Sequence, residues 1–204
     1  MKYPIMIAAA VALTASATAA PITTPPPALV ALGGDVKAVY IFADAGDASI
    51  LGMTAPASVP TIFCNHNTGS CTASVSGDTV DLGTLSGPML FTLNDTTTGI
   101  TYDSKNPDGD GNYHVDIRTS YTYSGVPPMS AAAMAALSGL TNVTFVAWED
   151  REMSNGSDFD YNDLIFAFSN TRPVHNPGVP EPLSLSLLGA GLLGVFGLRR
   201  VKKS

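Results

Sequence analysis

The stretch Phe145–Phe168, FVAWEDREMSNGSDFDYNDLIFAF, constrains this chain more than any other. Its two ends are apolar with alternation, the pattern of half-buried strands. The connection between them is crowded with acid: Glu149, Asp150, Glu152, Asp158, Asp160 and Asp163. Carboxylates packed this closely repel one another unless they are solvated or share a cation. A hard ion such as Ca²⁺ gathers several oxygens from carboxylates, Asn side chains and backbone carbonyls. The run Asp158-x-Asp160-x-Asn162 places oxygen ligands at alternate positions, and Asp163 follows directly. The expectation is two strands joined by a Ca²⁺-binding loop, with Glu149, Asp150, Asp158, Asp160, Asn162 and Asp163 as candidate ligands. A solvated acidic hairpin loop without metal is the plainer alternative.

A second acidic turn precedes it. Asn106, Asp108 and Asp110 stand at positions one, three and five of an EF-hand-like loop, with Gly111 at position six. The match then fails, because the twelfth position is Ile117 and a strand pattern follows instead of a helix. Two readings stay open: a Ca²⁺-binding β-turn using Asp108 and Asp110, or a simple Asp-Gly hairpin turn. His114, in the alternation that follows, reads as structural.

Charge narrows the choice of partner. All seventeen acidic residues lie between Asp35 and Glu181, a span that holds five basic ones, so the body carries a net −12 within a chain of net −7. An acidic body argues against nucleic acid and favours cations or a basic partner. Low charge content with abundant Gly, Pro, Ser and Thr suits an exported all-β protein. Strand candidates are Val36–Ala43, Ser58–Phe63, Cys71–Val75, Thr79–Leu82, Pro88–Leu93 and Gly99–Asp103, with turns at 44–47 and 94–95. Ser130–Leu137 is the one helix expected in the body, capped by Ser130 and stopped by Gly139. The fold expected is an antiparallel, jelly-roll-like β-sandwich of roughly eight to ten short strands with one short helix.

Both ends read as addresses. Residues 1–20 form a secretory signal peptide: Lys2, an apolar Ile5–Leu13, then small residues, with cleavage after Ala19 or Ala20. A Pro-rich lead-in covers 21–30, the sandwich 31–172, and a linker 173–178. Export means an oxidising compartment, so the two cysteines, Cys64 and Cys71, are expected to form a disulfide. A metal pair with His66 is the alternative, and falls short of the four ligands zinc requires. At the C-terminus, Val179-Pro180-Glu181-Pro182 leads into an apolar run over 183–198 and a basic end over 199–204. That run reaches about 24 Å as a helix, so a ~30 Å hydrocarbon core would be met by thinning and by snorkelling of Arg199 and Arg200. The basic end would stay cytoplasmic.

This tail resembles the PEP-CTERM sorting signal of Gram-negative bacteria, with its Pro-Glu-Pro motif, short transmembrane helix and Arg-rich end in order. The resemblance implies export, transient anchoring in the inner membrane, and processing by an exosortase that recognises Pro180, Glu181 and Pro182. It also implies a place at the cell surface or in the extracellular matrix, associated with exopolysaccharide and biofilm. The body is similar to an uncharacterised domain of exported bacterial proteins with the pattern ED…G-x-D-x-D-[FY]-N-D. Glu149, Asp150, Gly156, Asp158, Asp160, Tyr161, Asn162 and Asp163 match it, Gly109–His114 resembles its upstream feature, and Ca²⁺ binding is the property it implies. Arg151 and Glu152 stand where small or apolar residues are commoner.

Three functions follow as expectations. The first is a non-catalytic, exported scaffold with Ca²⁺-rigidified loops. The second is a lectin-like module binding carbohydrate or protein. The third, a glycoside hydrolase using two of the loop carboxylates, is disfavoured: Trp148 is the lone tryptophan, and neither Gly-x-Ser-x-Gly nor His-Glu-x-x-His occurs. The chain is therefore read as not an enzyme.

Overall fold

The computed structural model describes residues 20–69 and 71–175. Residues 1–19 of the signal peptide, residues 176–178 of the linker and the whole 179–204 tail, including Pro180, Glu181 and Pro182, lie outside the described residues. Among the described residues, no helix is long and apolar enough to cross a membrane.

Among the described residues, nine strands form antiparallel β-structure with one short α-helix. They are β1 (Ala28–Ala43), β2 (Ser49–Ala55), β3 (Val59–Cys64), β4 (Thr79–Asp95), β5 (Thr101–Asp103), β6 (Val115–Arg118), β7 (Thr144–Trp148), β8 (Leu164–Phe168) and β9 (Thr171–Val174). The helix α1 spans Ala131–Leu137. Ser130 caps it as the sequence predicts, its hydroxyl accepting from the Ala133 N–H at 3.0 Å.

Two long strands organise the rest. β1 pairs with β4 along most of its length, with β9 at its start and with β8 at its end. β4 pairs with β1 through Met89, then with β2 and β5 through its last third. Register shifts between Leu32 and Gly34, and between Asp35 and Lys37, are bulges that bend the pair. The path runs β3-β2-β4-β1-β8-β7-β6. Along it β3 and β8 are four steps apart, about 19 Å if the sheet were flat. Yet Phe63 of β3 stacks on Phe166 of β8 with ring centroids 5.7 Å apart. The sheet is therefore folded over on itself in a sandwich-like arrangement, with Leu51, Met53, Phe91, Leu93, Val146, Trp148, Leu164 and Phe168 in the fill.

A second apolar cluster lies on the outer face of β1, β7 and β8. Val39, Ile41, Phe145, Ala147, Ile165 and Ala167 are covered there by Ala133 of α1 and by Tyr123, Phe159 and Tyr161. Every residue of β7 and β8 is buried. This corrects the expectation of half-buried strands: TFVAW and LIFAF carry apolar side chains on both faces because both faces are covered.

Other boundaries also move. β1 starts at Ala28, inside the expected lead-in, and β9 runs past residue 172, because Ala28 pairs with Val174. Thr79–Leu82 and Pro88–Leu93 are parts of the single strand β4. Asn94 and Asp95 belong to that strand, and the turn falls one step later, where the Asp95 carboxylate accepts from the Thr97 N–H at 2.8 Å. Cys71–Val75 is no strand. It folds back as a loop, where Cys71 bridges Thr68 and the Asn67 side chain accepts from Ala73 N–H. β2, SILGMTA, was not evident, since its Gly, Ser and Met residues weaken the β pattern.

Candidate metal centre in the 149–163 loop

β7 and β8 pair in register, with Trp148 opposite Leu164, so the acidic connection springs from two neighbouring strand ends. Its root is fixed by backbone bonds. The Glu149 N–H donates to the His114 carbonyl at 2.9 Å, the Tyr102 hydroxyl donates to the Asp150 carbonyl at 2.9 Å, and the Asp150 N–H donates to the Asp163 carboxylate at 2.8 Å. A single 3₁₀ turn, Met153–Asn155, reverses the chain at Gly156. Phe159 and Tyr161 then adopt left-handed backbone conformations, with φ of 53° and 57°. That region is costly for bulky residues and persists only where the surroundings impose it. Here both rings are buried in the second cluster, and the residues alternating with them, Asp158 and Asp160, are left on the other side of the loop.

Glu149, Asp158 and Asp160 converge: each offers a carboxylate oxygen, and these atoms all lie within 4.8 Å of one another. Glu149 is only 2% exposed, and its Oε2 has no hydrogen-bond partner. Burial, with the nearby Asp163 charge, pushes the Glu149 carboxyl up to about 8 against the help of a Ser157 hydrogen bond. Burial and Asp158 push Asp160 up to about 6. Asp163 is likewise raised, chiefly by burial. Groups in this state either hold protons or share a cation. The trio is an acidic group that could hold a metal ion, and its all-oxygen composition suits a hard one. Asp158 is exposed, so the group opens to solvent.

The remaining predicted ligands separate into three roles. Asn162 supports Asp160: its backbone N–H donates to Asp160 Oδ1 at 3.1 Å, and its Nδ2 bridges Asp160 Oδ2 and the Ser124 carbonyl. Asp150, 1% exposed with an unpartnered Oδ2, is not one of the converging trio, and its charged neighbours are Asp163, Asp47 and Asp95. Burial and Asp163 push it up to about 8. These neighbours have a cation of their own, since Arg151 Nε donates to Asp47 at 2.8 Å. Asp108 and Asp110 stay in a separate loop. Burial and Asp103 push Asp108 up to about 7, and its Oδ2 has no partner. The Asp110 carboxylate is already committed: it accepts from the N–H groups of Asn112 and Met153 at 2.9 and 3.2 Å and faces His114. Although burial opposes its charge, these donors hold Asp110 down at about 2. It braces one acidic loop against the other.

The roles of several contributors were not visible in the sequence. His114, fully buried between the Tyr102 and Phe159 rings, contacts the Glu149 carbonyl at 3.3 Å through Nδ1. Gly125, φ +70°, lies where a Cβ would stand 2.7 Å from Asn162 Nδ2. The Tyr-Ser-Gly stretch at 123–125 signals a turn and nothing about which loop it supports. Cys64 and Cys71 form the expected disulfide, Cα atoms 6.4 Å apart, while His66 sits apart with Nε2 3.2 Å from the Ala45 carbonyl.

No protein-family model matches this chain, and neither a curated protein nor a solved structure matches it.

Proposed function

We propose that this chain is an exported, non-catalytic protein whose body is a jelly-roll-like β-sandwich that binds Ca²⁺ in the 149–163 loop. Its C-terminal tail is a sorting signal read by an exosortase at Pro180, Glu181 and Pro182, which brings the body to the cell surface or matrix, in association with exopolysaccharide. The observation that carries the ion reading is Glu149: a carboxylate buried to 2% exposure, one oxygen unpartnered, facing two further carboxylates. Burying such a charge without compensation costs several kcal/mol, so the loop has a standing requirement for a cation or a proton. Ca²⁺ suits an irregular, oxygen-only site that leaves positions for water and backbone carbonyls, whereas Mg²⁺ demands near-octahedral geometry. The disulfide supports an oxidising compartment.

Thermal unfolding of the purified protein tests the ion reading. Ca²⁺ at 100-fold its Kd adds about 2.7 kcal/mol by mass action, Mg²⁺ at the same concentration adds much less, and Glu149→Gln abolishes the Ca²⁺ increment. Equal melting temperatures with and without Ca²⁺ would remove the metal. Mass spectrometry of the mature protein from its host tests the sorting reading, which requires loss of both the leader and the tail.

A further inference from the structure

The segment that precedes β1 reaches the acidic loop through one side chain. Ile22 bridges Tyr113 in antiparallel fashion, with the Tyr113 N–H donating to the Ile22 carbonyl at 2.8 Å. The Tyr161 hydroxyl is inserted beside this bridge. It donates to the Tyr113 carbonyl at 2.9 Å and accepts from the Ile22 N–H at 2.9 Å. Ile22 is part-buried and packs against the cluster that contains Phe159 and Tyr161. Tyr161 itself is 3% exposed, and it is the residue between Asp160 and Asn162.

We infer that residues 20–27 form a strap for the ion site, with Tyr161 as the positioning residue that couples the two. The inference rests on the reading of the 149–163 loop as a cation site. Tyr161 contributes no ligand atom. Its hydroxyl, held by two backbone partners on different segments, fixes the left-handed turn from which Asp160 projects. Without a cation, repulsion among Glu149, Asp158 and Asp160 pushes that turn outward. With the strap seated, the turn is already held where the carboxylates converge, so less of the binding free energy goes into ordering the loop. Coupling of this kind is reciprocal: a strap that tightens ion binding is itself tightened by the ion. Ile22 is the only residue of the strap that bonds to Tyr161 among the described contacts, so its N–H is the point to remove.

Calorimetric titration of the chelator-treated full chain with Ca²⁺ tests this, using Ile22→Pro, which removes that donor and keeps the carbonyl, Tyr161→Phe, and the double variant. Circular dichroism identifies variants that fold. The expected result is a Ca²⁺ Kd raised about fivefold or more in each single variant. The double variant is no weaker than Tyr161→Phe alone, as a shared interaction requires. Hydrogen exchange supplies a readout that a merely structural role would leave unmoved: Ca²⁺ slows exchange of the Ile22 amide in the parent chain and not in Tyr161→Phe. Should Tyr161→Phe fail to fold, Ile22→Pro and the parent exchange measurement decide alone. Unchanged Kd in Ile22→Pro, with no Ca²⁺ effect on Ile22 exchange, overturns the strap and leaves the ion site standing. A parent chain that takes up no Ca²⁺ overturns both.

Discussion

Nε2 of His114 lies 3.3 Å from both carboxylate oxygens of Asp110. The histidine is fully buried, stacked 4.4 Å from the Tyr102 ring, and its other nitrogen meets the Glu149 carbonyl. This pair thus joins the 106–112 turn to the root of the 149–163 loop, and Asp110 extends the link by accepting the Met153 N–H. Two acidic loops that would repel each other are tied by one imidazole and one carboxylate.

Breaking that tie should be costly. Asp110→Asn is expected to destabilise the fold by about 1–3 kcal/mol, because a buried imidazole and a backbone N–H lose a charged acceptor. His114→Ala adds a cavity and should cost about 2–4 kcal/mol. The double variant should fall short of the sum, since both act through the same contact. Urea unfolding in the presence of chelator measures all three.

The pH dependence of the metal-free protein should run opposite to that of most proteins over an interval set by Glu149 and Asp150. Their ordinary values are 4.5 and 3.8, and burial with Asp163 raises each to about 8. Between those limits the folded state retains protons that the unfolded state has lost. Stability therefore falls as pH rises from about 4 to about 8, with Asp160, raised to about 6, contributing within the same window. Asp110 works the other way. It is held at about 2 against an ordinary 3.8, so its contribution is present above pH 3.8 and lost as pH falls toward 2. Chelator-treated protein should be most stable near pH 4, and saturating Ca²⁺ should remove the share of the decline toward pH 8 that Glu149 and Asp160 carry, leaving that of Asp150. A pH series of thermal unfolding curves, with and without Ca²⁺, checks both limbs.

Gly125→Ala should act on the ion site from outside it. The added Cβ would stand 2.7 Å from Asn162 Nδ2 and 3.3 Å from Asp160 Oδ2, on a backbone at φ +70°. Strain of about 1–3 kcal/mol is expected. If displacement of Asp160 relieves ~1.4 kcal/mol of it, Ca²⁺ binding weakens about tenfold. Calorimetry on this variant beside Gly139→Ala, whose Cβ meets nothing within 4 Å at φ +79°, separates the local clash from backbone strain alone.

Removing the disulfide should lower stability without touching the ion. Cys64 and Cys71 are separated by seven positions, and closing so short a loop contributes about 2–3 kcal/mol on chain-entropy grounds. Cys64→Ala with Cys71→Ala should lose about that much while keeping its Ca²⁺ response, because none of Glu149, Asp158 and Asp160 belongs to the bridged segment. Denaturant midpoints with and without Ca²⁺ report the two effects separately.

The primary sequence determined what depends on residue type and short-range order: β-structure over α-helix, the Ser130 cap, the pairing of the only two cysteines, and the acidic crowding of the 149–163 connection. Each follows from side-chain chemistry acting over a few residues. Which carboxylates meet was decided by tertiary structure alone. Six acids in a row of fifteen residues look equivalent on paper, yet Phe159 and Tyr161 sink into the outer apolar cluster and turn Asp158 and Asp160 toward Glu149. Asp150, the very next residue after Glu149, stays out of that trio, its carboxyl set among Asp163, Asp47 and Asp95. Asp110, at an EF-hand-like position, was drawn off by His114 and Met153, partners that no local pattern could name. The burial of β7 and β8 on both faces was hidden for the same reason: the helix and loops that cover the outer face come from elsewhere in the chain, and only their packing against Val39, Ile41 and Ile165 makes a strand that looks half-exposed fully interior.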